Sequence, residues 1–190
     1  MDSQITILGI NASPFINGNC SKLIKKVLRE AEICGANVEL LNLSQKDIPF
    51  FDNWNKKPSK VFINIQKKIE VADAIIFATP VHWHNVSARM KNFIDHLTYL
   101  ELGGWKLEGK VAGFIAVGDT DGALKAILDM VGPLNHMGMM IPPYAMLFQN
   151  TNLRKSEKNW VKKDIPLLAK NVMRMVYLTK QKTWGYQKDI

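Results

Sequence analysis

The chain has 190 residues, a length typical of one domain, and its 47% hydrophobic residues suffice for one full core. No stretch approaches the roughly 20 apolar residues that a membrane-spanning helix needs, which argues against a membrane protein. The formal net charge is +8, but residues 151–190 carry +7 of it, so a nucleic-acid-binding surface over the rest of the chain is not expected.

The N-terminal segment MDSQITILGI lacks both the basic start and the small-residue cleavage site of a secretory signal, so we predict a cytoplasmic protein. Cys20 and Cys34 have neither CxxC nor metal-ligand spacing. We therefore expect two free thiols and no disulfide framework.

Five apolar runs alternate with segments of helical periodicity along the chain. Near-continuous apolarity, as in AIIFA, is typical of a strand that is buried on both faces of a sheet. The alternation predicts an α/β fold with a five-stranded parallel sheet covered by helices on both sides, in a single domain over residues 1–190. The predicted strands are ITILGI (5–10), VELLNL (38–43), AIIFATP (74–80), VAGFIAVG (111–118) and MMIPPYAML (139–147), the last weakened by Pro142 and Pro143. The predicted helical faces are Leu23, Ile24, Val27, Leu28 and Ala31, and then Val86, Met90, Phe93, Ile94 and Leu97.

The loop after the first strand, NASPFINGNCSKL (11–23), has the features of an anion site. Ligands of such sheets bind outside the carboxyl ends of the strands, and a helix start offers N–H groups and a positive dipole end to a phosphate. The predicted contacts are the turn residues Asn17 and Gly18, the N–H groups of Asn19, Cys20 and Ser21, and the side chains of Ser13, Asn19 and Ser21. The loop alone leaves open the alternative that Asn19 or Ser21 simply caps the helix. Neither GxGxxG nor GxxxxGKS/T is present, which favours a small phosphate ligand.

The loop after the third strand, TPVHWHNVSARMKNFIDHL (79–97), is suited to a flat heterocycle. Aromatic contacts and backbone hydrogen bonds are what such a ring requires. For Trp83 alone, packing under the loop remains an equal alternative, and His82 and His84 lack a visible third metal ligand, so no metal site is expected. Arg89 and Lys91 are interpreted as surface charges of a helix. The residues predicted to line the ring are Pro80, Val81, His82, Trp83 and His84.

These two segments resemble segments of a known protein family. NASPFINGNCSKL resembles the GSPRxNGNTxxL phosphate loop of the NADPH-dependent FMN reductase family, in the flavodoxin-like superfamily. TPVHWHNVSARMKNFIDHL resembles that family's TPxYxxxxSAxLKxFIDR segment, and the match extends through GKVAGFIAVG (109–118) and the GDTDG loop (118–122). The resemblance implies a flavodoxin-like doubly wound sandwich with strand order 2-1-3-4-5, bound FMN, NADPH or NADH as co-substrate, and a homodimer or dimer of dimers.

The resemblance also implies roles for particular residues. The first loop would hold the FMN phosphate, residues 80–84 would line the flavin ring, and Gly118, Asp119 and Gly122 would border its pyrimidine side. No side chain is predicted to act as a catalyst, because the flavin N5 takes the hydride.

Several positions depart from the family pattern. Ala12 replaces a glycine, Phe15 a frequent arginine, Cys20 a threonine and His82 a tyrosine. The loss of the arginine removes one cationic partner for a phosphate or for NADPH. The segment QKDIPFFDNWNKKPSK (45–60) has no cysteines, so the iron–sulfur cluster of one branch of the superfamily is not expected.

These features predict an FMN-dependent NAD(P)H oxidoreductase that reduces a small acceptor, namely a quinone, a nitro or azo compound, or free flavin. Phe50, Phe51 and Trp54 would favour a flat aromatic acceptor if they reach the cleft, and are otherwise core or dimer residues. Two other hypotheses remain: a flavodoxin-like electron carrier, and a flavin-dependent sensor or interaction protein. The latter would use the basic segment 154–188 to bind a partner. The pattern of that segment favours a solvated helix face, with Lys155, Lys158, Lys162 and Lys163 exposed and Trp160, Val161 and Ile165 opposite.

Overall fold

The computed structural model describes residues 4–152 and 155–180, with the backbone alone for 155–159. Its central sheet has five parallel strands. With the short antiparallel β4, the described residues form six strands: β1 Thr6–Asn11, β2 Asn37–Asn42, β3 Ala74–His82, β4 Asn85–Val86, β5 Val111–Gly118 and β6 Met146–Asn150. The parallel strands lie in the order β2-β1-β3-β5-β6, and the two-residue β4 pairs antiparallel with the end of β3. The predicted order of the five main strands is confirmed.

Helices cover both faces of the sheet. They are α1 Asn19–Ile33, α2 Lys60–Val71, α3 Ala88–His96, α4 Thr98–Leu102, α5 Ala123–His136 and α6 Lys155–Thr179, with a short 3-10 helix at Leu43–Gln45. The helices α1 and α6 pack on one face, and α2 to α5 on the other. Along β3, Ile75 and Phe77 point to the second face while Ile76 and Ala78 point to the first, so the strand needs apolar residues throughout. No helix in the described ranges is long and apolar enough to cross a membrane.

The predicted face of α1 is confirmed, since all five of its predicted residues are buried. Two other predictions are wrong. The fifth strand begins at Met146 rather than 139, because Pro142 and Pro143 cannot donate ladder hydrogen bonds and Tyr144 has a φ of 56°. Val86 belongs to β4 and not to a helical face, because Ser87 caps α3 by accepting a hydrogen bond from the Met90 N–H.

The C-terminal helix α6 follows the predicted amphipathic pattern in part. Val161 and Ile165 are buried, and Lys162 and Lys163 are exposed, as expected. Trp160 is mostly exposed, so its assignment to the apolar face is wrong. The side chains of Lys155 and Lys158 lie outside the described residues.

Glu101, in α4, has one carboxyl oxygen that is buried without a hydrogen-bond partner among the described residues. Burial, together with repulsion from Glu108, raises the pKa of this carboxyl from 4.5 to about 7. Because the folded pKa exceeds the unfolded one, the folded state pays a penalty that is absent below pH 4.5 and grows until the pH passes about 7.

We therefore expect Glu101→Gln to raise Tm at a pH of about 8 and to change it little at a pH of about 4. The gain should be about 1 kcal/mol or less, since the carboxyl is partly solvated. Thermal unfolding followed by circular dichroism at both pH values checks this. An equal shift at both would contradict the assignment to ionisation.

Candidate functional site

The loops that follow β1, β3 and β5 meet at the carboxyl edge of the sheet. A Cβ placed on Gly122 would lie 2.6 Å from the Cα of His84, and one placed on Gly118 would lie 3.4 Å from the Cβ of Val81. The loops after β3 and β5 are therefore in direct contact. The Arg89 Nη1, at the start of α3, lies 3.5 Å from the carbonyl oxygen of Ala12, which brings the first loop beside them.

The first loop is held in shape by its own hydrogen bonds. The Asn11 Oδ1 accepts from the Ser13 N–H, and the Ser13 Oγ accepts from the Phe15 N–H at 3.2 Å. The Gly18 N–H donates to the Phe15 carbonyl at 3.1 Å, which closes the predicted turn at Asn17 and Gly18. These hydrogen bonds hold the backbone of the loop in one shape.

The start of α1 leaves three backbone donors unused. Gly18 is the N-cap and has no side chain to offer, and the first helical bond runs from the Lys22 N–H to the Gly18 carbonyl at 2.9 Å. In the described part of the chain, no acceptor pairs with the N–H groups of Asn19, Cys20 and Ser21. The alternative that Asn19 or Ser21 caps the helix is therefore wrong. Three such donors at the positive end of a helix dipole are chemically suited to an anion.

Of the three predicted side-chain donors of this loop, Ser13 and Ser21 have other partners in the structure, and Asn19 is exposed. The Ser21 hydroxyl is buried and donates to the Ile16 carbonyl at 2.6 Å, and the Ser13 hydroxyl donates to the Phe15 carbonyl at 3.3 Å. Burial raises the pKa of the Cys20 thiol to about 12, so this thiol stays protonated at neutral pH. These side chains shape the loop, and the backbone supplies the donors.

Charges around the helix start favour an anion. The first turn of α1 contains no acidic residue. Lys22 is exposed there, and the Lys25 Nζ reaches back to the Ile16 carbonyl at 3.3 Å. The local potential is therefore positive, which adds to the helix dipole.

The loop after β3 is a tight hairpin with an exposed aromatic tip. Trp83 and His84 have φ values of 50° and 60°, so both central residues of the turn occupy the left-handed region, as in a type I′ turn. Trp83 is 97% exposed, so the alternative that it packs under the loop is wrong. Neither residue is a glycine or asparagine, and each such conformation costs about 1–3 kcal/mol. Strain of this kind at an exposed loop marks a candidate binding residue.

The loop after β5 is tied to the end of β6. The Asp119 carboxylate accepts from the Thr151 Oγ1 at 2.7 Å, and the Thr151 N–H donates to the Gly118 carbonyl at 2.8 Å. Asn150 has an Oδ1 atom that is buried without a partner among the described residues. Sequence reasoning missed Asn150 and Thr151, because the fifth strand was placed too early to end at this edge.

A pocket of about 490 Å³ opens beside these loops. His82 and Ser87 line it from the β3 side and Pro14 from the first loop, while Lys46 and Phe50 come from the segment after β2. The three aromatic residues of that segment lie in different surroundings. Phe50 lines the pocket and is 86% exposed, Phe51 packs edge-on against His96 and Tyr99, and Trp54 is exposed away from the pocket lining.

Among the described residues, no three His, Cys, Asp or Glu side chains are grouped as metal ligands. The sheet order, with helices on both faces, is that of the flavodoxin-like fold. Residues 5–152 match the model of the NADPH-dependent FMN reductase family, and the chain belongs to this family.

The comparisons with individual proteins agree with this assignment. An iron–sulfur flavoprotein of Archaeoglobus fulgidus is 35% identical over 118 residues, which cover 58% of this chain and 53% of that protein. An NAD(P)H dehydrogenase (quinone) of Trichlorobacter lovleyi is 39% identical over 77 residues, or 40% of this chain and 37% of that protein. The matches thus span about half or less of these relatives. This sequence has two cysteines, Cys20 and Cys34, too few for a four-cysteine cluster.

Among solved structures, RosB with the bound intermediate 8-demethyl-8-formylriboflavin-5′-phosphate is similar, with a TM-score of 0.80. The sequences are 18% identical, and the superposition covers 96% of this chain and 83% of RosB. This likeness supports the fold.

Proposed function

We propose that the protein is an FMN-dependent oxidoreductase that passes electrons from NADPH or NADH to a small acceptor. Acceptors of the expected kind are quinones, nitro or azo compounds and free flavin. The observation that carries the proposal is the start of α1, where three N–H groups that find no acceptor among the described residues stand at the positive end of the helix dipole. Membership of the FMN reductase family supports it.

The residues at the carboxyl edge fit FMN. A single phosphate matches the three free N–H groups of residues 19–21, and the positive surroundings match its charge. The ring would lie against residues 80–84 and 118–122, whose loops are in contact. The buried Oδ1 of Asn150, which has no partner in the described ranges, lies beside Gly118 and is an acceptor suited to a ring N–H group.

FMN, when bound, supplies the redox chemistry, and the chain supplies binding and orientation. The first loop fixes the phosphate end, because its backbone is already ordered by the Ser13 and Ser21 hydroxyls. The contact of Gly122 with His84 sets the spacing of the two ring-lining loops. No described side chain needs to move a proton for this role, so substitutions at 80–84 should tune rate rather than abolish it.

The test is the visible spectrum of the protein after reconstitution with FMN, followed by anaerobic addition of NADPH and, separately, NADH. We expect flavin bands that bleach with at least one of the two nucleotides. Bands that persist with both would overturn the reductase proposal and leave an electron carrier. The absence of flavin bands would overturn the cofactor assignment as well.

The exposed hairpin tip gives a prediction of its own. Replacing the pair by the favoured turn residues, Trp83→Asn with His84→Gly, should stabilise the protein by about 1 kcal/mol, because the left-handed strain is relieved. It should also weaken FMN binding by about fivefold, since an aromatic contact with the ring is lost. Urea unfolding and a fluorescence titration with FMN measure the two effects. A destabilised variant, or one with unchanged FMN affinity, would contradict the proposed role of the tip.

We also propose a homodimer or dimer of dimers that covers this edge. Phe15 and Trp83 expose large apolar side chains on loops of the same edge, and clustered exposure of this kind is typical of an interface. Size-exclusion chromatography with light scattering tests this proposal. A monomer at micromolar concentration would contradict it.

A further inference from the structure

The pocket beside the proposed flavin site has an uneven charge. Lys46 and Arg89 both line it, and no Asp or Glu is among its lining residues. Neither cation forms an ion pair within the described ranges, whereas Lys91, on the same helix as Arg89, pairs with Asp95. The two charges of the pocket are therefore available to a ligand.

Arg89 uses little of its hydrogen-bonding capacity. Its one hydrogen bond to the described residues is the 3.5 Å contact from Nη1 to the Ala12 carbonyl, at the outer limit for a hydrogen bond. A guanidinium has five N–H donors in a planar fork that matches a carboxylate, sulfonate or phosphate. The contact with Ala12 holds the side chain at the mouth of the first loop and leaves most donors for a bound anion.

The remaining walls of the pocket favour a flat apolar body. Pro14, Leu43, Ile48 and Phe50 line it with apolar surface. Phe50 is 86% exposed, so its ring is open to contact by a ligand. An occupant that satisfies both features has an aromatic body and an anionic group.

The position of the pocket connects it to the reaction. His82 belongs both to its lining and to the hairpin proposed to contact the flavin ring. Phe15, on the first loop, is 72% exposed and brings no charge. Arg89 supplies a cation to the same region from a different element, the first turn of α3.

We propose that this pocket binds the electron acceptor and that Arg89 and Lys46 select a planar aromatic anion over its neutral counterpart. This inference rests on the proposed function, because it takes the occupant to be the second substrate.

The test is calorimetric titration of the FMN-loaded, oxidised protein, without nicotinamide, by anthraquinone sulfonate and by the neutral anthraquinone sulfonamide. We expect the sulfonate to bind about fivefold to tenfold more tightly at low salt. In the double variant Arg89→Gln with Lys46→Gln, the ratio should fall to about one through weaker sulfonate binding alone. The matched control Lys91→Gln should keep the wild-type ratio, since Lys91 pairs with Asp95 outside the pocket.

Three results would overturn the inference. The first is equal affinity of the wild-type protein for the two compounds, and the second is an equal loss of preference in Lys91→Gln. The third is an Arg89→Gln variant that loses affinity for FMN but not for riboflavin, which would assign the arginine to the cofactor phosphate.

The titration involves no turnover, so its result is separate from that of the proposed function. If the sulfonate is preferred but neither NADPH nor NADH bleaches the flavin, the reductase proposal and the acceptor role of the pocket are both overturned. If the flavin bleaches but the sulfonate is not preferred, only the inference about the pocket is overturned.

Discussion

Replacing Gly122 by alanine is expected to destabilise the protein by about 2–5 kcal/mol and to weaken FMN binding by more than about tenfold. Two effects add at this position. Gly122 has a φ of 88°, which side chains disfavour, and a Cβ there would lie 2.6 Å from the Cα of His84. Because the obstacle is backbone, the loops after β3 and β5 must separate, and the proposed ring site lies between them. Urea unfolding and an FMN titration at a temperature where the variant is folded measure both quantities.

Gly35 provides the matched control for this prediction. Its φ of 93° is similar, but nothing lies within 4 Å of a Cβ placed on it. Gly35→Ala should therefore cost about 1–2 kcal/mol from backbone strain and leave FMN affinity unchanged. If both variants lost stability equally and bound FMN alike, the contact between the two loops would have no role in the site.

The second prediction isolates a single N–H group at the start of α1. Proline is tolerated at the first position of a helix, where its missing N–H has no helical partner. Asn19→Pro should therefore preserve the helix and remove one of the three free donors at residues 19–21. A hydrogen bond to a charged phosphate contributes about 1.5–3 kcal/mol, so we expect FMN affinity to fall at least about tenfold.

Asn19→Ala separates the contribution of the backbone N–H to FMN binding from that of the side chain, since it removes the side-chain amide and keeps the backbone N–H. We expect the alanine variant to bind FMN about tenfold more tightly than the proline variant, and riboflavin to bind both alike. Fluorescence titrations with the two ligands give this comparison. Equal FMN affinities would mean that the Asn19 N–H does not contact the phosphate.

The core of the fold was predictable because its pattern is simple. The run at β5, residues 111–118, was predicted to the residue, since a strand buried on both faces is apolar at every position. The strand near residue 146 was misplaced because MMIPPYAML is equally apolar. Met140 still bridges to Val111, but the ladder is interrupted at Pro142 and Pro143 and resumes only at Met146.

The site was predictable at the level of loops and less so for individual side chains. Its backbone donors at residues 19–21 follow from the helix start. The hydrogen bonds that the Ser13 and Ser21 hydroxyls donate to carbonyl groups of the same loop could not be predicted, because hydroxyl orientation depends on the closed shape of the loop.

The same limit applies to the residues around the ring site. Trp83 and His84 adopt a turn that normally requires glycine or asparagine, so propensity could not reveal it. Arg89 was interpreted as a surface charge like Lys91. Helical periodicity does not distinguish the two, and the difference arises from the segment after β2 that closes the pocket.

The central claim is that the first loop holds FMN by its phosphate. The most direct test is the ratio of the dissociation constants of riboflavin and FMN for the unaltered protein, measured by flavin fluorescence at one ionic strength. Three charge-assisted hydrogen bonds and the helix dipole predict that FMN binds at least about 100-fold more tightly. Equal affinities for the two flavins would contradict the account.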